Sequence, residues 1–161
     1  MAYRLAIEVF GPGDDPNYRS HWAFLIYRPG DDFGDLLHVQ VIDLKRLWYE
    51  PDYREGTNIV TPMVSYQAAG MCKVTDLDGQ QRRKAIEVIR AEPAPRDGKR
   101  RCQDWVFDTL ISLEVEELVE SGTAETWKGR IGMPASDLAR ACGADWTSFK
   151  DADYGQRRLK R

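Results

Sequence analysis

The first 44 residues contain three segments with the pattern of β-strands. They cover residues 3–10, 20–27 and 36–44. Successive side chains of a strand project to opposite faces, so Leu5, Ile7 and Val9 share one face of the first segment. A Pro-Gly turn at 29–30 separates the second segment from the third. The pattern predicts an antiparallel meander whose second and third strands form a hairpin.

The rest of the chain adds predicted helices to this sheet. The other predicted elements are short strands over 58–66 and 71–77, a helix from 76 or 78 to about 91, and a short helix over 134–141. The breaker-rich residues 93–98 precede a longer helix, predicted to begin at or just before Cys102 and to stop near Gly122. We therefore predict an α+β fold, an antiparallel sheet packed against the cysteine-bearing helix, in one domain over 1–161 with a disordered basic tail at 156–161.

The composition restricts the functional classes. The formal net charge is −3 and acidic and basic residues are well mixed, so nothing favours binding to nucleic acid or to an anionic membrane. No stretch approaches the ~20 apolar residues of a membrane span. Three widely spaced cysteines argue against a disulfide framework and favour a reducing, cytoplasmic location. Two of them, Cys72 and Cys142, lie in apolar-leaning segments typical of core packing.

Cys102 is the candidate nucleophile. A thiol in the first turn of a helix lies among backbone N–H groups without intrahelical partners, at the positive end of the helix dipole. The three preceding residues are Lys99, Arg100 and Arg101. Both effects favour the thiolate, the form that attacks carbonyl groups, whereas Asp104 opposes them. The alternative is that Cys102 is a small core residue on the buried face of its helix.

His21 and His38 are the two histidines of the chain and the candidate partners of this thiol. A thiol nucleophile needs a base within hydrogen-bond reach, and the base needs a third group that fixes its tautomer. A turn centred at 29–30 places residue 21 opposite residue 38 on one face, whereas a one-residue slip separates the rings. A zinc site made of both histidines and Cys102 is a less favoured alternative, because no fourth ligand or close ligand pair is evident. We therefore predict no metal and no cofactor.

Short motifs in the chain resemble those of the circularly permuted papain-like thiol enzymes. They are His21-Trp22-Ala23-Phe24-Leu25-Ile26, a histidine on the next strand, and Cys102-Gln103-Asp104-Trp105-Val106 at the start of a helix. That superfamily includes lecithin–retinol acyltransferase-like proteins and desumoylating isopeptidases, and NlpC-type cell-wall endopeptidases are unpermuted relatives. The His–His–Cys order is most similar to that of the acyltransferase-like members. The chain is also similar to fungal proteins with a His-Trp strand and a Cys-Gln-Asp-Trp helix.

The resemblance implies a thiol hydrolase, or an acyl or peptidyl transferase, that acts on an amide, ester or thioester through an acyl-enzyme. Cys102 would be the nucleophile, His21 its general base and His38 the orienting group. The residues predicted to contact the substrate are Trp22, Gln103 and Trp105. The expected partner is a small molecule or a peptide.

The chain departs from the family in two ways. Arg101 stands where the family often has Asn before the cysteine, and the hydrophobic tail of the acyltransferase members is absent, so we expect no stable membrane anchoring. Two alternatives therefore remain open at this point. One is a non-catalytic papain-like module that binds a small molecule or a protein, and the other is a biosynthetic tailoring enzyme that uses the same pocket.

Overall fold

The computed structural model describes residues 2–149, which form a six-stranded antiparallel sheet with helices on both faces. The strands are β1 (Tyr3–Phe10), β2 (His21–Tyr27), β3 (Phe33–Asp43), β4 (Trp48–Asn58), β5 (Ala68–Leu77) and β6 (Trp146–Ser148). The helices are α1 (Val60–Ser65), α2 (Gly79–Ala91), α3 (Cys102–Val115), α4 (Thr123–Lys128) and α5 (Ala135–Cys142). The order across the sheet is β4-β3-β2-β1-β5-β6. The predicted α+β class with an antiparallel sheet is confirmed.

Strand alternation sorts the buried side chains into two clusters. The α3-side cluster includes Leu5, Ile7, Trp22, Phe24, Trp105, Leu110, Cys72 and Cys142. The α1-side cluster includes Ala6, Phe10, Ala23, Leu25, Val60 and Met63. Because neighbouring strand residues project to opposite faces, Trp22 packs toward α3 while the His21 ring lies on the other face, 5.7 Å from the Phe10 ring.

The β2–β3 hairpin differs in register from the prediction. The strands pair from Tyr27 opposite Gly34 to Phe24 opposite Leu37, which aligns residue 38 with residue 23 rather than with residue 21. A two-residue shift preserves the face, so His21 and His38 still share one side of the sheet. Beyond Phe24 the two strands are no longer paired, and β3 continues against β4 alone.

Local hydrogen bonds determine where the helices start. Asp78 caps α2 in a reciprocal pair with Gln81: the carboxylate accepts the Gln81 N–H at 2.8 Å, and the Gln81 side chain accepts the Asp78 N–H at 2.8 Å. At α3 the Asp104 carboxylate accepts the backbone N–H of Arg101 at 2.8 Å. These contacts satisfy N–H groups that helix geometry leaves without a partner.

Two predictions about the middle and the end of the chain were wrong, and the start of one strand was not predicted. The predicted strand over 58–66 is instead α1, because the Asn58 side chain accepts the N–H groups of Val60 and Thr61 at 2.9 and 3.0 Å and begins a helical turn. No element was predicted from the sequence at the start of β4, which begins at Trp48. The cysteine helix ends at Val115 rather than near Gly122.

The predicted tail, 156–161, lies outside the described residues. Within residues 2–149, no helix combines the length and the apolar composition that a membrane crossing requires.

Candidate active site

The two imidazoles meet where β2 and β3 separate. The Nε2 atom of His21 lies 2.6 Å from the Nδ1 atom of His38, and the ring planes are inclined by 64°. Since the backbones of β2 and β3 are not paired at this point, the two side chains form the polar contact between the strands. The predicted association of His21 with His38 is present in the structure.

Asp52 extends this contact into a chain of three groups. It stands directly opposite His38 in the β3–β4 pair, and its Oδ2 atom lies 3.0 Å from His38 Nε2. The same carboxylate accepts hydrogen bonds from Gln40 at 3.0 Å and from Arg54 at 2.9 Å. Sequence reasoning missed Asp52, although the alternation of His38 and Gln40 on one face of β3 offered a weak signal.

The chain fixes the tautomers of both rings. An ionised carboxylate only accepts hydrogen bonds, so His38 donates Nε2–H to Asp52 and its Nδ1 carries a lone pair. That lone pair accepts Nε2–H from His21. The remaining ring nitrogen of His21, Nδ1, is therefore unprotonated and able to accept a proton.

Both imidazoles are held in the neutral form. Burial, followed by the neighbouring His38, lowers the pKa of His21 to about 3, against the opposing effect of Asp52. Burial likewise lowers the pKa of His38 and outweighs its hydrogen bond to Asp52. Although burial of Asp52 acts in the other direction, hydrogen bonds from Arg54 and His38 lower the pKa of this carboxyl group. The neutral rings and the ionised carboxylate agree with the tautomers assigned above.

Cys102 occupies the first turn of α3, on the side of the sheet opposite the two rings. Its sulfur accepts hydrogen bonds from the backbone N–H groups of Trp22 and Gln103. Within residues 2–149, no hydrogen bond joins this sulfur to His21 or His38. The structure therefore brings the two histidines together and leaves the thiol beside the backbone that carries His21.

The predicted thiolate is not supported by the surroundings of Cys102. Burial raises the pKa of the thiol, and Asp104 adds to this, while the two backbone N–H groups and Arg19 act in the opposite direction without reversing it. Arg100, expected to favour the thiolate, is engaged in ion pairs with Asp97 at 3.0 Å and Asp108 at 2.8 Å. The resting form of Cys102 is the neutral thiol.

Tyr49 also contacts the start of α3. Its side chain is 7 % exposed, and its hydroxyl oxygen accepts the backbone N–H of Cys102. Burial, followed by the Cys102 sulfur, raises the pKa of Tyr49 to about 12. The phenol is therefore neutral and keeps a proton that it can donate.

The predicted substrate-contacting residues are all fully buried in the α3-side cluster or beside it. Trp22 stacks edge-on against Trp127 with ring centroids 5.2 Å apart. The Gln103 side chain donates to the Ser20 carbonyl at 2.8 Å and accepts the Gly132 N–H at 2.8 Å, which ties α3 to two loops. Trp105 donates Nε1–H to the Glu92 carbonyl at 3.2 Å. In this arrangement Trp22, Gln103 and Trp105 hold the fold around Cys102.

A cavity of about 490 Å³ opens on the face that carries the two imidazoles. The residues that line it are Phe10, Gly11, Arg19, His21, Leu36, His38, Gln40, Val41, Arg54 and Tyr66. Cys102 is not among them. A volume in this range suits a small molecule or a short peptide segment.

Comparisons with known proteins do not assign this site to a family. No family model matches the chain, and no curated protein and no solved structure matches it either. Within residues 2–149, no group of three or more histidine, cysteine, aspartate or glutamate side chains is arranged to hold a metal ion.

Proposed function

We propose that this protein is a cysteine-dependent hydrolase, or an acyl or peptidyl transferase, of permuted papain-like topology. It would act on an amide, ester or thioester through an acyl-enzyme on Cys102. The observation that supports the proposal is the hydrogen-bonded chain Asp52–His38–His21, which leaves Nδ1 of His21 unprotonated. His21 directly precedes Trp22, whose backbone N–H contacts the Cys102 sulfur. A nucleophile, a base and an orienting group are the parts that acyl transfer by a thiol requires.

The reaction starts from a neutral thiol and a neutral imidazole, because the pKa of His21 lies near 3 and burial raises the pKa of Cys102. For this reaction the Cys102 side chain has to leave the Trp22 N–H and pass around the start of β2, where His21 is the first residue, to reach the imidazole on the other face. Nδ1 of His21 takes the thiol proton as sulfur bonds to the substrate carbonyl carbon. The carbonyl oxygen becomes an oxyanion, which the Tyr49 hydroxyl can stabilise by donating its hydrogen bond, and the Cys102 N–H can do the same once it leaves the Tyr49 oxygen.

The acyl-enzyme forms when the oxyanion collapses and the bond to the leaving group breaks. The leaving group departs with the proton held by His21, which restores the neutral imidazole. Water or another acceptor then gives its proton to His21 and attacks the acyl carbon, and the Cys102 sulfur leaves and recovers the proton. His38 and Asp52 keep the Nε2–H of His21 in a hydrogen bond, so that Nδ1 is the nitrogen that gains and loses the proton in each step.

The test is acylation of the thiol by 4-nitrophenyl acetate, followed by mass spectrometry of the Cys102 peptide. We expect an acetylated peptide in the wild-type protein, none in Cys102→Ser, and much slower acetylation in His21→Ala. Cys142→Ser is the matched control and should be acetylated like the wild type, because Cys142 lies in the core away from the cavity. Acetylation of Cys102 at equal rates with and without His21 would refute the proposed role of the imidazole.

A second candidate function is a non-catalytic binding module. It is favoured by one observation, that Cys102 is half-buried and does not line the cavity. In that case ligands would bind to the wild type and to Cys102→Ser with equal affinity, and the acetylation experiment would leave Cys102 unmodified.

A further inference from the structure

The cavity beside the two imidazoles combines an apolar surface with guanidinium groups. Phe10, Leu36 and Val41 supply apolar side chains, and Arg19 and Arg54 supply positive charge. Among the described residues that line it, none is an aspartate or a glutamate. The charges that a ligand meets directly are therefore positive.

The two arginines differ in how much charge they offer to a ligand. Arg54 forms ion pairs with Asp52, with its Nη2 atom at 2.9 Å and its Nε atom at 3.2 Å from carboxylate oxygens. Its charge is balanced by that contact. Arg19 has one carboxylate neighbour within residues 2–149, Asp104, at 3.8 Å, which is beyond hydrogen-bond distance. Its side chain is 33 % exposed, so its N–H groups remain available to an anion.

We infer that this cavity binds a small organic carboxylate, whose anionic group is held by Arg19 and whose apolar body lies against Phe10, Leu36 and Val41. A guanidinium presents a planar set of donors that fits a carboxylate in a bidentate manner. This inference rests on the proposed function in one respect: the acyl group transferred to Cys102 would belong to a molecule that carries this carboxylate. Binding itself does not require Cys102 to react.

The experiment measures binding to the Cys102→Ser protein, in which no turnover competes with binding. The probes are 4-phenylbutyrate and its uncharged counterpart 4-phenylbutyramide, titrated by calorimetry. We expect the carboxylate to bind roughly tenfold to a hundredfold more tightly than the amide, the range expected for a hydrogen bond to a charged group. Raising the ionic strength should weaken binding of the carboxylate and leave binding of the amide unchanged.

Substitution of Arg19 identifies the source of this preference. Arg19→Gln should bind both probes with the affinity of the amide, and Arg19→Lys should keep part of the preference. Lys84→Gln, an exposed cation on α2, is the matched control and should bind like the parent protein. Equal affinity for the two probes, or no binding of either, would overturn the inference.

Failure of this inference and failure of the proposed function give different results. Selective binding of the carboxylate, together with a Cys102 that is never acetylated, would support this cavity as a carboxylate site and refute the proposed enzyme. Acetylation of Cys102 that depends on His21, together with equal affinity for the two probes, would support the enzyme and refute the carboxylate site.

Discussion

Replacement of Glu8 by Gln should remove a large pH dependence of stability. Glu8 lies in β1 between Ala23 of β2 and Met71 of β5, and it is 1 % exposed. Within residues 2–149 its Oε1 atom has no hydrogen-bond partner. Burial raises the pKa of this carboxyl group to about 8, so it is mostly protonated in the folded protein at neutral pH.

The sign and the size of the effect follow from the two pKa values. The folded protein keeps the Glu8 proton up to a pKa of about 8, whereas the unfolded chain releases it near the ordinary carboxyl pKa of 4.5. Stability is therefore full below pH 4.5 and is lost as the pH rises toward 8. At about 1.36 kcal/mol per pH unit, the total loss is about 5 kcal/mol.

Urea unfolding measures how much the ionisation of Glu8 changes the free energy of unfolding. The wild type and Glu8→Gln are compared at several pH values between about 5 and about 8. The difference between the two free energies of unfolding should grow in favour of the Gln variant by about 1.4 kcal/mol per pH unit, because the amide does not ionise. Other groups such as His21 titrate in both proteins and cancel in the difference. Glu50→Gln, at an exposed position, should show no such trend. A difference that stays constant with pH would refute the reasoning.

Three further outcomes are expected. Asp35→Asn should lower the free energy of unfolding by about 3 kcal/mol in urea titrations, because Arg82 loses its two 2.9 Å contacts with a carboxylate that is nearly fully buried; a loss below about 1 kcal/mol would contradict this. Asp78→Ala should cost about 1 kcal/mol in the same assay, since the cap of α2 is removed; an unchanged midpoint would show that the cap adds nothing. His38→Ala should slow acetylation of Cys102 less than His21→Ala, because His38 orients the base; equal or reversed losses would exchange the two roles.

The N-terminal meander was predictable because alternation and turn residues agree there. β1 spans the predicted residues, and β2 begins one residue later than predicted. Gly30 adopts a φ of +90°, which the predicted Pro-Gly turn requires. The cap at Asp78 likewise located the start of α2. In these places local propensity and tertiary packing favour the same structure.

The predictions from sequence failed where the structure depends on strand pairing or burial, which a local sequence pattern does not contain. β4 lies at the edge of the sheet and has many exposed side chains, so its sequence lacks the alternation of a half-buried strand. Asp52 was missed for that reason, because its role depends on being opposite His38. For Cys102 the sequence located the start of the helix. It did not show how strongly the folded protein disfavours a charged sulfur at this position, and that effect determines the direction of the pKa shift.

The two faces of the sheet differ in how completely they are packed. One face carries α3 and most of the large buried side chains, whereas the other is covered by the six residues of α1 and is open beside His21. Substitutions around the opening, at Val41 or Tyr66 for example, therefore leave the tightly packed face untouched. Substitutions that change the ligand preference of this protein can therefore accumulate during evolution without lowering its thermal stability.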